Sequence, residues 1–451
     1  MDSFILFKQL VGGVILLDHL SNTPFFYSYF SNRLLPHSLI RSKGIAVLIW
    51  LVWLVCSFGL LFNVFPLESS ICLLALFRHF FINNAEKSGR GPQFLGFLLY
   101  FVSLYMVGFG LLDRFASGQS FWLLVLIFQI EIGLIIFSGG ISKAYRGYLN
   151  NQGAEYALSN PSWGKLFFLF RRLSPHNVLF KILNWTAVIA EVAAGICLIF
   201  IPFNSVGIIL FGLVFVFSLV MFRVNTISLL MLSMAIFLWK SGPQITFFNF
   251  NSASVIDWLL FCYLIHLIAV FSIKTCIYCF KWMPPHCVNR YTYFSDIIHP
   301  IKVWTVFLWF MVDFFVQVSL VNKEDSPTEI VLYNGFSNSF FNSYFSLYGL
   351  IRYLKCAESC TLMCLFAKLK VKSDNEDLLE SNIIAYANTL CPAAKHDTHT
   401  VKFRFIMIEK VDSTFKNTPI LDISVDLSHQ KLAYLSPTIL AMSIAVFLYS
   451  I

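Results

Sequence analysis

Long apolar runs separated by short polar turns dominate this chain. Stretches of membrane-spanning length fall at residues 4–20, 44–63, 67–83, 94–113, 119–139, 179–202, 205–222, 226–241, 254–273, 301–320 and 433–451. A helix of about 20 apolar residues crosses a hydrocarbon core of roughly 30 Å. The pattern therefore predicts an α-helical polytopic membrane protein with about 9–11 transmembrane helices. The first run contains Lys8 and lacks the basic leader and small-residue cleavage site of a signal peptide, so it is read as a retained helix.

The texture changes over residues 322–431. After the charged stretch Lys370 to Glu380, polar and apolar residues alternate from Thr400 to Phe405 and again from Ile420 to Asp426, with a turn expected at Lys416 to Pro419. A period of two is that of a half-buried strand. The expected organisation is a helical transmembrane domain over 1–321 and a small extramembrane α+β domain near the C-terminus over 322–431, with a helix at Asp377 to Leu390. Residues 432–451 then read as a C-terminal hydrophobic span or tail anchor.

Composition agrees with lipid as the main solvent. Hydrophobic residues are 58% of the chain, charged residues 12%, and mean hydropathy is +0.73. The net charge of +8 would suit nucleic acid, but the lysines and arginines flank apolar runs, where they act as topology signals; membrane lipid is the expected partner, and nucleic acid is not. If every run spans, Arg33, Arg41, Lys43, Lys87, Arg90, Lys143, Arg146, Lys165, Arg171, Arg172, Lys274, Lys281 and Arg290 share a cytosolic face. Segment 322–431 then lies on the opposite face, lumenal or extracellular. The membrane would be that of the endoplasmic reticulum in a eukaryote and the cytoplasmic membrane in a bacterium.

Eleven cysteines are present. Cys56, Cys72, Cys197 and Cys262 lie inside apolar runs as small buried residues. Cys276, Cys279, His286 and Cys287 resemble a zinc pattern, but the short spacing and the intervening Trp282, Pro284 and Pro285 favour a reduced juxtamembrane cluster, and no metal is predicted.

Polar residues within apolar runs need partners. Glu131, Glu191, Arg223 and Asn225 are expected to face the bundle interior, either as charge pairs that lock helices or as the lining of a substrate or proton cavity. Lys143 closes the run from Phe121 in Ser138-Gly-Gly-Ile-Ser-Lys143. An amine there either snorkels to water or is held partly out of it, and the second placement suits a base.

The order of these features resembles the family of vitamin K-dependent gamma-glutamyl carboxylase and its bacterial relatives, the horizontally transferred transmembrane domain (HTTM) proteins. Leu6 to Gly13 with Ser31 to Pro36 is similar to that family's first helix and proline turn. Phe77-Arg78-His79 with Asn83-Asn84, and Leu112-Asp113, resemble its third-helix loop and helix-ending aspartate. Phe137 to Lys143, followed by Glu155-Tyr156-Ala-Leu158 and Trp163, resembles the segment that carries the family's basic lysine. Glu191 fits its glutamate helix, and Phe405 to Leu427 its outer-domain strands. The histidine common in the family is absent from Leu219 to Asn225, and Tyr148 or Leu149 stands where a tryptophan is expected, which marks a divergent member.

The resemblance implies a membrane-embedded carboxylase-like lyase or oxidoreductase. Lys143 would take a proton from a reduced quinone, reduced vitamin K or another quinol. Oxygen addition would then generate a base strong enough to deprotonate a carbon of a secreted peptide substrate, with carbon dioxide trapping the carbanion. Glu191, Arg223, Asn225 and Tyr148 would line the substrate site. The alternative is a non-catalytic accessory protein of the same fold that handles or matures a secreted peptide. Family geometry needs Lys143 open to the outer domain, whereas span counting puts the two on opposite faces.

Overall fold

The computed structural model describes residues 2–22, 43–79, 94–115, 118–145, 147–150, 153–161, 163–222, 224–242, 253–280, 314–322, 329–331, 399–429 and 431–434, together with Ile384 and Ala387. Its long helices are α1 (Asp2–Asn22), α2 (Lys43–Leu61), α3 (Pro66–Phe77), α4 (Phe94–Phe115), α5 (Gly118–Tyr145), α8 (Val178–Ile199), α9 (Asn204–Met221), α10 (Asn225–Ser241) and α11 (Val255–Phe280). Two short helices, α6 (Ala154–Ser159) and α7 (Phe167–Phe170), lie between α5 and α8. Nine of the predicted apolar runs thus coincide with helices. Among the described residues, six helices are long and apolar enough to cross a membrane: α1, α4, α5, α8, α9 and α11. Shorter apolar helices run over Val47–Leu61, Pro66–Phe77 and Asn225–Ser241.

α5 is apolar around its whole circumference, which is the pattern of a helix enclosed by others. Its 28 residues are buried from Ser120 to Lys143 with few interruptions, and α8, α11 and α4 pack along it. The outer helices point apolar side chains away from the protein, among them Ile189 of α8, Leu213 of α9 and Leu259 of α11. Such continuous apolar surface is uncommon on a protein bathed in water.

α5 and α8 run antiparallel with their backbones almost in contact. A Cβ on Gly195 would lie 2.6 Å from the backbone nitrogen of Phe137 and 2.7 Å from the carbonyl of Gly133; one on Gly140 would lie 2.7 Å from Val192. Small residues permit this approach, and packing at short range is what holds helices together where lipid supplies no hydrophobic contrast. The approach brings the end of α5 beside the middle of α8.

The strands are β1 (Phe314–Asn322), β2 (Glu329–Val331), β3 (His399–Val411), β4 (Thr414–Asp426) and β5 (Lys431–Tyr434), in one antiparallel sheet of order β2-β1-β3-β4-β5. The expected strands at 400–409 and 420–426 are present but longer. The turn falls at Asp412 and Ser413, not at Lys416 to Pro419, and Asp412 takes the left-handed conformation, φ 51°, that a tight hairpin requires. Pro419 instead sits inside β4 opposite Ile406, at a bulge between Phe405 and Ile406. A bulge tolerates a residue without an N–H.

Two expectations about layout change. Residues 314–320, read as the end of an apolar span, form β1 and pair with β3, so the sheet begins ahead of the boundary placed after residue 321. The sheet also stands at the same end of the bundle as Lys143, not opposite it. The hairpin β3–β4 rests on the segment just after α5: Ile406, Ile408 and Phe415 pack with Tyr156, and the Phe415 ring meets Phe180 edge-on at 6.1 Å. Residues 314–320 are spent on pairing with β3 and not on a helical crossing, and the hairpin meets Tyr156 directly beside the end of α5. The expected helix at Asp377 to Leu390 lies outside the described residues except at Ile384 and Ala387, both helical, and Leu435 to Ile451 lies outside them entirely.

Candidate functional site

Lys143 occupies the last turn of α5, and long side chains on a helix lean back toward its N-terminus. The lysine therefore reaches into the bundle instead of out of it. Its Nζ donates to Oε1 of Glu191 in α8, and both side chains are more than nine-tenths buried. The interior placement and polar partner expected for Glu191 are both present.

After α5 the chain reverses at Gly147, whose φ of 94° suits glycine. It then forms a single 3₁₀ turn at Tyr148–Asn150. Tyr148 is buried, with its ring centroid 5.8 Å from Lys143 Nζ, and it lies within electrostatic reach of both Glu191 and Glu155. The ring is pressed so closely on Gly153 that a Cβ there would sit 2.5 Å from it.

Glu155 continues the polar column outward. It is fully buried in the first turn of α6, and Oε2 accepts from Asn184 Nδ2 of α8 at 2.9 Å and from the Gly153 amide at 3.2 Å. Asn184 Oδ1 in turn accepts from the Ala154 amide at 2.7 Å. From the sheet, Lys410 Nζ donates to Glu155 Oε1 at 2.6 Å and lies 4.3 Å from the Tyr156 ring centroid. Two lysine–glutamate pairs, Lys143–Glu191 in the bundle and Lys410–Glu155 at the hairpin, thus stand on either side of Tyr148. Their charges balance, which is the condition under which buried charge is tolerated.

The loop between α6 and α8 is held by similar contacts. The Lys165 amide donates to the Met221 carbonyl at 2.9 Å, and Lys165 Nζ donates to the Leu219 carbonyl. Burial lowers the Lys165 pKa to about 8 and that of Arg171, whose Nε donates to the Ser159 carbonyl at 2.7 Å, to about 10.

Of the residues singled out from sequence, Lys143, Glu191 and Tyr148 come together. Asn225 opens α10 and is half-buried; the contacts that join the other three do not extend to it. Arg223 lies outside the described residues. Glu131 has its own partner in mid-bundle, accepting from Tyr105 at 2.5 Å with Tyr263 close by. Sequence reasoning missed Asn184, Lys410 and Tyr105. Asn184 stands as a lone amide in the apolar run Val178 to Trp185, a visible signal; Lys410 looks like any solvated strand lysine.

Beside Lys143, Oε2 of Glu191 is buried and has no hydrogen-bond partner among the described residues; Asn225 Oδ1 is in the same condition. No family model, curated protein or solved structure matches the chain.

Proposed function

We propose that this chain is an integral membrane protein whose Lys143–Glu191 centre performs acid–base chemistry on a lipid-soluble substrate. In this reading it is a divergent relative of the vitamin K-dependent carboxylase and HTTM proteins. The six long apolar helices support the membrane assignment, and the three shorter ones bring the number of crossings to nine if they span as well. The observation that carries the reading is a lysine and a glutamate paired inside the bundle, at the end that faces the sheet. A site for a lipid-borne acid and an outer domain able to present a peptide would then meet on one side of the membrane.

A reduced quinone fits the residues present. Its hydroxyl would have an acceptor in the Glu191 oxygen that lacks a partner among the described residues, and Tyr148 would supply an aromatic wall. When bound, the reduced quinone would supply, with oxygen, the strong base that deprotonates a peptide carbon. In the ion pair the group able to take a proton is the Glu191 carboxylate. It would receive the hydroxyl proton beside Lys143, whose ammonium would then balance the anion left on the quinol. The surrounding apolar helices would exclude water, which strengthens each electrostatic contact. The chemistry is tested by incubating purified protein with reduced quinones under oxygen and measuring epoxide. Turnover lost in a folded Lys143→Ala variant supports the role; unchanged turnover removes Lys143 from it.

A second reading is favoured by the completeness of the packing around the lysine. Lys143 is paired and covered by Tyr148, which itself fills the space above Gly153. In that reading the pair locks α5 to α8, and the protein is a non-catalytic accessory that handles a secreted peptide. Normal stability of that peptide's pathway with Lys143→Arg, in the absence of any quinone turnover, would support it.

A further inference from the structure

α11 is the least enclosed of the six membrane-length helices: 22% of its span Val255–Thr275 is buried, against 78% for the span that contains α5. Its inner side, with Leu267, Val270 and Phe271, packs toward α5. On the outer side Val255, Leu259, Cys262, His266 and Ala269 are all exposed, at steps of four, three, four and three residues. An alternation of three and four is the repeat by which two helices pack along a left-handed seam.

His266 sets this seam apart from the other outward faces. It lies one residue past the middle of the span, about 15 Å from either end at 1.5 Å per residue, which is out of reach of water for an imidazole. It has no hydrogen bond among the described residues. Lipid tails offer none, and an ionisable side chain at this depth normally pairs with another polar group. A second copy of the chain supplies that group. Two copies inserted with the same topology are related by a twofold axis along the membrane normal, so α11 meets α11 in parallel and identical residues stand at the same depth. A neutral imidazole has one N–H donor and one acceptor nitrogen, so a histidine complements its own kind, as a lysine or a carboxylate does not. Cys262 and Ala269, one layer to either side, are small enough for close approach.

We propose that the chain forms a parallel dimer through α11, with His266 hydrogen-bonded to the same residue of the second copy and the two Cys262 side chains facing each other one layer away. The proposal needs the membrane assignment but not the chemistry of Lys143.

The experiment places the purified full chain in lipid vesicles at a low protein-to-lipid ratio and oxidises its thiols with copper phenanthroline. A non-reducing gel is expected to show a cross-linked dimer that disappears in Cys262→Ser. Adding Leu213→Cys, on the outward face of α9, is expected to restore no cross-link to that variant. Dimerisation is then titrated by fluorescence energy transfer between labelled copies. His266→Gln, whose amide also donates and accepts, is expected to keep the dimer. His266→Leu, which suits lipid and should fold, is expected to weaken it by about 3- to 30-fold, the worth of one interhelical hydrogen bond. Monomers at every ratio, cross-linking as strong through Leu213→Cys as through Cys262, or a dimer that His266→Leu leaves at native affinity overturns the proposal.

Discussion

Lys410 on β3 lies 2.6 Å from Glu155, which is fully buried at the start of α6. Through this pair a strand lysine reaches the carboxylate that Asn184 and the Gly153 amide also hold. Replacing Lys410 with methionine is expected to destabilise the docked hairpin by about 3 kcal/mol, the low end for breaking one partner of a buried pair, because Lys410 keeps partial contact with water. Hydrogen exchange across residues 399–426 reads the effect. Amide protection identical to the native chain would show that the hairpin is held by Ile406, Ile408 and Phe415 alone.

The Lys143–Glu191 pair predicts an asymmetry between single and double changes. Lys143→Ala leaves a carboxylate unpaired inside the bundle and should cost about 3–5 kcal/mol, whereas changing both residues to methionine should cost much less. Denaturant titration in detergent measures both. A double variant as unstable as the sum of the two single variants would mean that the groups do not interact.

Helix contact at the glycines makes a steric prediction. Gly195→Ala drives a methyl group into the Phe137 backbone and should destabilise by roughly 1–3 kcal/mol, while Gly212→Ala, with open space at its Cβ position, should be neutral or slightly stabilising. Thermal melts of the two variants in one detergent distinguish them. Equal melting temperatures would contradict the close α5–α8 approach.

Lys165 predicts a pH dependence. In the folded protein burial lowers its pKa to about 8, against 10.5 for the ordinary side chain. Below pH 8 both folded and unfolded chains carry the proton, and the folded state bears the full desolvation penalty. Between about 8 and 10.5 the unfolded chain binds more protons, so stability should rise with pH across that window, by roughly 3 kcal/mol at most. Lys165→Met should flatten the rise. A native protein whose stability falls throughout this window, with no difference from the variant, would exclude the effect.

Most of the helical content was legible because apolar runs are local: a segment such as Phe121 to Phe137 has few ways to satisfy its backbone in lipid other than as a helix. The strand pair was legible for the same reason, since alternation at Thr400 to Phe405 is a property of neighbours in sequence. Where the pattern misled, longer-range pairing prevailed. The apolar residues 314–320 suit a span or a buried strand equally well, and only hydrogen bonding to β3 separates the two. The hairpin turn was misplaced because Pro419 signals a turn locally, while a bulge accommodates it within β4.

The same division applies to the site. Lys143 and Glu191 stood out individually because charge in apolar surroundings is rare, and Tyr148 because of its place after the lysine. That Lys143 and Glu191 meet depends on the antiparallel contact at Gly140 and Gly195, which sets α5 and α8 in register. Lys410 joins the column across 255 positions. Residue type determined which atoms carry a need for partners, since desolvation is a property of each group and its local solvent; only tertiary structure decided which partners they found, since distance between remote segments is set by packing and the number of crossings.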